Sequence, residues 1–96
     1  MEKGLVNIGS ATTATLIEQY SRKSVSVVNI CNCNQDENVK IRLFLDDGTN
    51  QTSFVENLNI PGGTTLEIRD IVFDSSVLSL KLQTQGTGVD VNVIMR

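Results

Sequence analysis

Reactive side chains are few in this 96-residue chain, and their spacing is informative. Cys31 and Cys33 stand at i and i+2, and Asp46 and Asp47 are adjacent just before Gly48. Asp70 and Asp74 flank the apolar triplet Ile71-Val72-Phe73, and there is no histidine or tryptophan. A nucleophilic triad needs a base, ordinarily the histidine that this chain lacks. Without an imidazole partner, Cys31 and Cys33 do not read as a thiol nucleophile. Adjacent carboxylates before a glycine read as turn formers rather than glycosidase acids. Catalysis is therefore not expected, and no catalytic residue is assigned.

Ligand chemistry is nearly as sparse. On one strand, Cys31 and Cys33 point the same way, too far apart for a relaxed disulfide in extended geometry. Two thiols fall short of the four ligands of a structural zinc site, so two reduced cysteines and no metal or cofactor are expected. A metal site shared between subunits is the alternative. Calcium is the cation that loop carboxylates such as Asp46, Asp47, Asp70 and Asp74 would suit, but EF-hand spacing is absent. The glycines around Pro61-Gly62-Gly63 lack the Lys-Ser/Thr pair and following helix of a phosphate loop.

The bulk composition narrows the partners. A net charge of −3 and scattered basic residues argue against nucleic acid. Four aromatics, Tyr20, Phe44, Phe54 and Phe73, are too few for a base-stacking platform. No apolar run approaches the ~20 residues of a membrane span, and the first ten residues lack a signal-like apolar core. A protein made in the cytoplasm and free of membrane is the expectation. A chain of this length makes one domain with a thin margin of burial, which self-association would widen.

The elements that position these residues read as strands. Residues 39–45, 66–68, 78–82 and 89–95 alternate apolar and other side chains, which sets a sheet register. Eight strands are expected, at about residues 4–8, 13–20, 24–33, 39–46, 52–60, 64–73, 77–83 and 89–95. Residues 15–21 could instead make a turn or two of helix, but strand is favoured. Alternation slips at Val27-Val28, which implies burial on both faces or a bulge. Asp47-Gly48 predicts a hairpin, and Pro61 must end a strand. A bend near Arg69-Asp70 would return Ile71 and Phe73 to the inward face of Leu66 and Ile68.

The expected core includes Val27, Ile30, Ile41, Leu43, Leu66, Ile68, Leu80, Leu82, Val91 and Val93. Leu78 is expected inward too, and Phe54, Leu58 and Ile60 on one face. Phe44 breaks an outward polar row and is expected to be uncovered; with Tyr20 it is a candidate contact residue. Short strands with a turn every 8–12 residues predict an all-β antiparallel β-sandwich, jelly-roll-like.

The same strand and turn strings carry a resemblance. VVNICNCNQDENVKIRLFLDDGTN (residues 27–50) resembles a unit of small β-sandwich structural proteins in tailed-bacteriophage virions: apolar strand, Asn, polar turn, second strand, DDGT. NLNIPGGTTLEIRDIVFD (57–74) is similar to their "IPAGxTL" strand start. SLKLQTQGTGVDVNVIMR (79–96) is similar to their closing hairpin, "LKV", a Gly-rich turn and "VDVxV". Together these cover about residues 25–96. The resemblance implies a non-enzymatic virion component, many copies on the capsid or in the neck or tail, partnered by other virion proteins and by itself. The stretch before Ser24 matches less well, which leaves residues 1–23 as an N-terminal arm or edge strands. The alternative function is a small binding module that recognises a glycan or receptor, with or without calcium.

Overall fold

Pro61, Gly48 and the polar clusters punctuate the chain into the strands of a two-layer fold. The computed structural model describes residues 4–23 and 25–96. The strands are β1 (Gly4–Ile8), β2 (Thr13–Ile17), β3 (Val28–Asn32), β4 (Val39–Asp46), β5 (Gln51–Ile60), β6 (Thr65–Ile68), β7 (Ser79–Gln85) and β8 (Val91–Met95). They form two four-stranded antiparallel sheets, ordered β1-β8-β3-β6 and β2-β7-β4-β5.

The pairings explain that order. β1 pairs with β8, β2 with β7, β3 with β6 and β4 with β5. This is one long antiparallel ribbon closed by the β4–β5 hairpin. Rolling it up adds the contacts β3–β8 and β4–β7, which complete the two sheets. The result is a β-sandwich of jelly-roll topology, the architecture expected from the alternation.

Between the sheets lies one apolar core. Val28, Ile30, Leu43, Leu80, Leu82, Val91 and Val93 are wholly buried, with Ile8, Ile17, Val39, Ile41 and Ile60 around them. Of the expected core, Leu66 and Ile68 are only half-buried against this cluster, because β6 is a sheet edge. Leu78 is likewise half-buried, just ahead of β7.

Val27 does not belong to the core; Val28 does. The cause is a bulge. The N–H groups of Ser26 and Val27 both donate to the Arg96 carbonyl, at 2.8 and 3.0 Å. That extra residue moves the buried set from Val25 to Val28, Ile30 and Asn32. Regular β3 is therefore shorter than the expected 24–33, and Ser24 lies outside the described residues.

β5 shows the same device twice. Its ten residues oppose the eight of β4, and the register slips between Ile41 and Leu43 and between Leu43 and Phe44. The two extra residues fall near Asn57, which has φ 51°, and at Phe54. Val55, Leu58 and Ile60 thus oppose the inward residues Leu43, Ile41 and Val39. Phe54 is unpaired and exposed, not on the face of Leu58 and Ile60.

Two strands stop sooner than expected. β2 ends at Ile17, and Tyr20 (φ 68°) lies in a turn. β6 ends at Ile68, where Asp70 (φ 59°) bends the chain; no strand resumes before β7. That bend still delivers Ile71 to the core, with its N–H on the Ser26 carbonyl at 3.1 Å.

Candidate functional site

Phe44 is where structure and expectation part most clearly. It is 3% exposed, not uncovered. It sits outside the inter-sheet core, and its cover is a neighbour on its own strand: the Arg42 guanidinium lies 4.2 Å from the ring centroid. β5 holds that guanidinium in place. Arg42 Nε donates to Ser53 Oγ (3.0 Å) and Glu56 Oε2 (2.9 Å), and Nη1 to Gln51 Oε1 (2.8 Å). The cation–π contact and the bulged β5 together bury the ring. Phe44 as it stands presents no anchor to a partner.

Tyr20 is exposed, and it has company. Residues 18–27 join β2 to β3, 47–50 close the β4–β5 hairpin and 69–78 join β6 to β7. These three connections emerge at one end of the sandwich. There Tyr20 (73% exposed), Val72 (85%) and Val77 (50%) all present apolar surface. The connections are tied together: Gln19 Nε2 donates to the carbonyls of Val77 (2.8 Å) and Asp47 (3.2 Å). Val72 and Val77 were not singled out as contact residues. Val72 lies between the inward-reading Ile71 and Phe73, so the alternation already placed it outward, and it is an apolar residue on that outward side.

Of the four carboxylates, Asp46 at the end of β4, Asp47 and Asp74 each bind backbone N–H groups of their own turns, and Asp70 lies at the bend after β6. Asp46 Oδ1 accepts from the Gly48 N–H (2.7 Å), and Asp46 Oδ2 from Lys81 Nζ (3.0 Å). Asp47 Oδ1 caps the Thr49 and Asn50 N–H groups, and Asp74 Oδ1 accepts from the N–H and the hydroxyl of Ser76. Among the described residues, no group of three or more Cys, Asp or Glu is placed to hold a metal ion.

Hydrogen bonds of this kind lower the pKa values of Asp46, Asp47, Asp74 and Glu56. The Gly48 N–H does so for Asp46, with Lys81 adding to it. The Asn50 and Thr49 N–H groups act on Asp47, the Ser53 hydroxyl and Arg42 on Glu56, and the Ser76 hydroxyl and N–H on Asp74. A carboxylate depressed in the folded state contributes stability above its unfolded pKa and loses it as pH falls through the folded one. Unfolded Asp and Glu titrate near about 4. With no histidine present, Tm is expected to be flat from pH 8 to 6 and to fall below about pH 5. A pH series of thermal melts checks this, and Asp46→Asn and Glu56→Gln should each flatten the acid limb.

The thiols lie on the outward face of the first sheet. Cys31 and Cys33 are half-buried and free, with the Cys33 thiol 3.8 Å from Cys31 Sγ. Desolvation, then the hydrogen bond to Cys31, pushes the Cys33 thiol up, which keeps it protonated at neutral pH. Between them Asn32 points inward, 1% exposed. Its Nδ2 donates to the carbonyls of Glu37 (2.8 Å) and Ile60 (3.0 Å), and its Oδ1 accepts from the Asn34 N–H (3.2 Å). Asn32 was missed as a key residue; its parity with Val28 and Ile30 was the signal.

The hollows hold little reactive chemistry. One of about 260 Å³ runs along β2, lined by Thr15, Leu16, Ile17, Glu18, Ser21 and Lys23. Another of about 130 Å³ opens between the edges of β5 and β6, around Leu58, Ile60, Pro61 and Leu66. Neither gathers a nucleophile with a base. No family model, no curated protein and no solved structure matches this chain.

Proposed function

We propose that the protein is a non-enzymatic structural component of a tailed-bacteriophage virion, assembled in many copies on the capsid or in the neck or tail. The observation that carries this reading is the apolar loop end: Tyr20, Val72 and Val77 exposed on connections braced by Gln19. A preordered surface of this kind suits docking, since little entropy is lost on contact. The resemblance of residues 25–96 to virion sandwiches supports the same reading. Jelly rolls serve viral capsids and also lectins and cupins, so the topology is compatible with the reading without selecting it.

Association in this scheme joins surfaces rather than completing a fold. The accessible area of 5375 Å² is already that of a compact monomer, for which size scaling gives about 5,400 Å². One modest contact repeated by symmetry would hold many copies.

The test is co-sedimentation of the purified chain with virions lacking it, alongside mass spectrometry of complete particles. Saturable binding is expected, weakened at least tenfold by Tyr20→Ser with Val72→Asp. Absence from particles, together with calcium-dependent binding on a glycan array, would replace the virion reading with the binding module.

A further inference from the structure

The outward face of the first sheet is built in rows. Cross-strand register aligns Leu5, Ile94, Asn29 and Glu67, and beside them Asn7, Asn92, Cys31 and Thr65. Cys33 follows Cys31 just past the end of β3. Same-face neighbours on a strand are about 6.6–6.8 Å apart along the backbone. The two sulfurs nonetheless converge to 3.8 Å. A disulfide would need about 2.05 Å. Four thiolates placed tetrahedrally around zinc at about 2.3 Å stand about 3.8 Å from one another. The observed separation is one edge of that tetrahedron.

Two corners are present and two are wanting. Among the described residues no group of three or more metal-binding side chains gathers there, so those residues do not close the site alone. We propose that Cys31 and Cys33 are half of a tetrahedral zinc–thiolate site, completed by the same pair from a second copy across a twofold axis.

Two features of the face fit a second copy. A twofold axis brings identical residues together, which turns a Cys pair into four equivalent ligands. Leu5 and Ile94, cross-strand partners on this face, are 72% and 46% exposed, an apolar pair for a partner to cover. The four-stranded face measures only about 300 Å² from strand spacing and rise, against about 800 Å² per partner in a standard interface. Apolar contact alone is therefore weak, and the metal must carry the association. The inference stands apart from the virion reading: zinc-linked pairing without particle binding would leave it intact.

The experiment titrates zinc into chelator-treated full-length chain and follows mass by sedimentation equilibrium. One zinc per two chains is expected, with mass doubling and reversal on adding chelator. Cobalt in place of zinc should give thiolate charge-transfer and visible bands of a tetrahedral four-sulfur set. Cys31→Ser and Cys33→Ser should each abolish both. If either variant fails to fold by circular dichroism, chelator reversal with the unaltered chain decides. Failure to retain zinc at micromolar concentration, one zinc per chain at unchanged mass, or a dimer indifferent to chelator would overturn the proposal.

Discussion

Leu80→Ala is expected to cost about 2–5 kcal/mol, the range for deleting a fully buried leucine side chain from a core that cannot collapse around the void. Leu80 is wholly buried, on β7 between Leu45 of β4 and Ile17 of β2. Its strand is the second from the edge in its sheet, so neighbours on both sides hold the backbone in place. A domain this small has roughly 5–14 kcal/mol in total. At ~4–8 °C per kcal/mol, Tm should drop by roughly 10 °C or more. Leu82→Ala, between Leu43 and Ala14, should behave alike. Leu5→Ala, at a 72% exposed site, should stay within about 0.5 kcal/mol. Thermal and urea melts of the three variants check this. Small losses for both core variants would mean that the inward face of β7 is misassigned.

That face was legible because β7 alternates cleanly. Leu80 and Leu82 meet the opposite sheet, while Lys81 and Gln83 stay partly in water. β4 and β8 read as well for the same reason: one dry face and one wet face imprint a period of two. Legibility failed wherever an extra residue broke the period. The Arg96 carbonyl creates the bulge that exchanges Val27 for Val28. Two bulges in β5 put Phe54 outside and Val55 against the core. In each case one extra residue reverses every face beyond it, and composition does not mark its position.

The contact residues show a second kind of failure. The polar row predicts an uncovered Phe44, but polar side chains with long stems cover apolar ones. Arg42 two residues away on the same face does this for Phe44, anchored by three β5 side chains. The pattern extends β2 to Tyr20, which instead lies in a turn and is exposed all the same. Which connections share an end of the sandwich follows from the order in which the ribbon rolls, and local pattern does not encode that.

Asn32 carries the other large effect. Asn32→Ala is expected to cost about 2–4 kcal/mol, from removing three hydrogen bonds to backbone groups, the one to Ile60 fully buried and the others partly so. The side chain ties three segments that meet only at this end: β3 itself, the 33–38 connection through Glu37, and the end of β5 through Ile60. Backbone contacts reinforce it. The Asn32 N–H donates to the Thr64 carbonyl, and the Gly63 N–H to the Asn32 carbonyl, both at 2.9 Å. The 33–38 connection also packs tightly on Gly62, where a Cβ would come within 2.5 Å of the Asn34 carbonyl oxygen. Gly62→Ala should destabilise the same corner by a different route. Asn32→Asp separates the hydrogen-bond account from simple loss of packing. It keeps the shape but turns oxygens towards the Glu37 and Ile60 carbonyls, so burial and repulsion raise its folded pKa above the unfolded value. Its deficit relative to the parent should therefore be smallest at low pH, where the carboxyl is protonated and donates one bond. It should grow as pH rises through the folded pKa. Denaturant melts of parent and variant at matched pH values from 4 to 8 read this difference. A deficit that does not change with pH would mean that the two carbonyls are not what Asn32 serves.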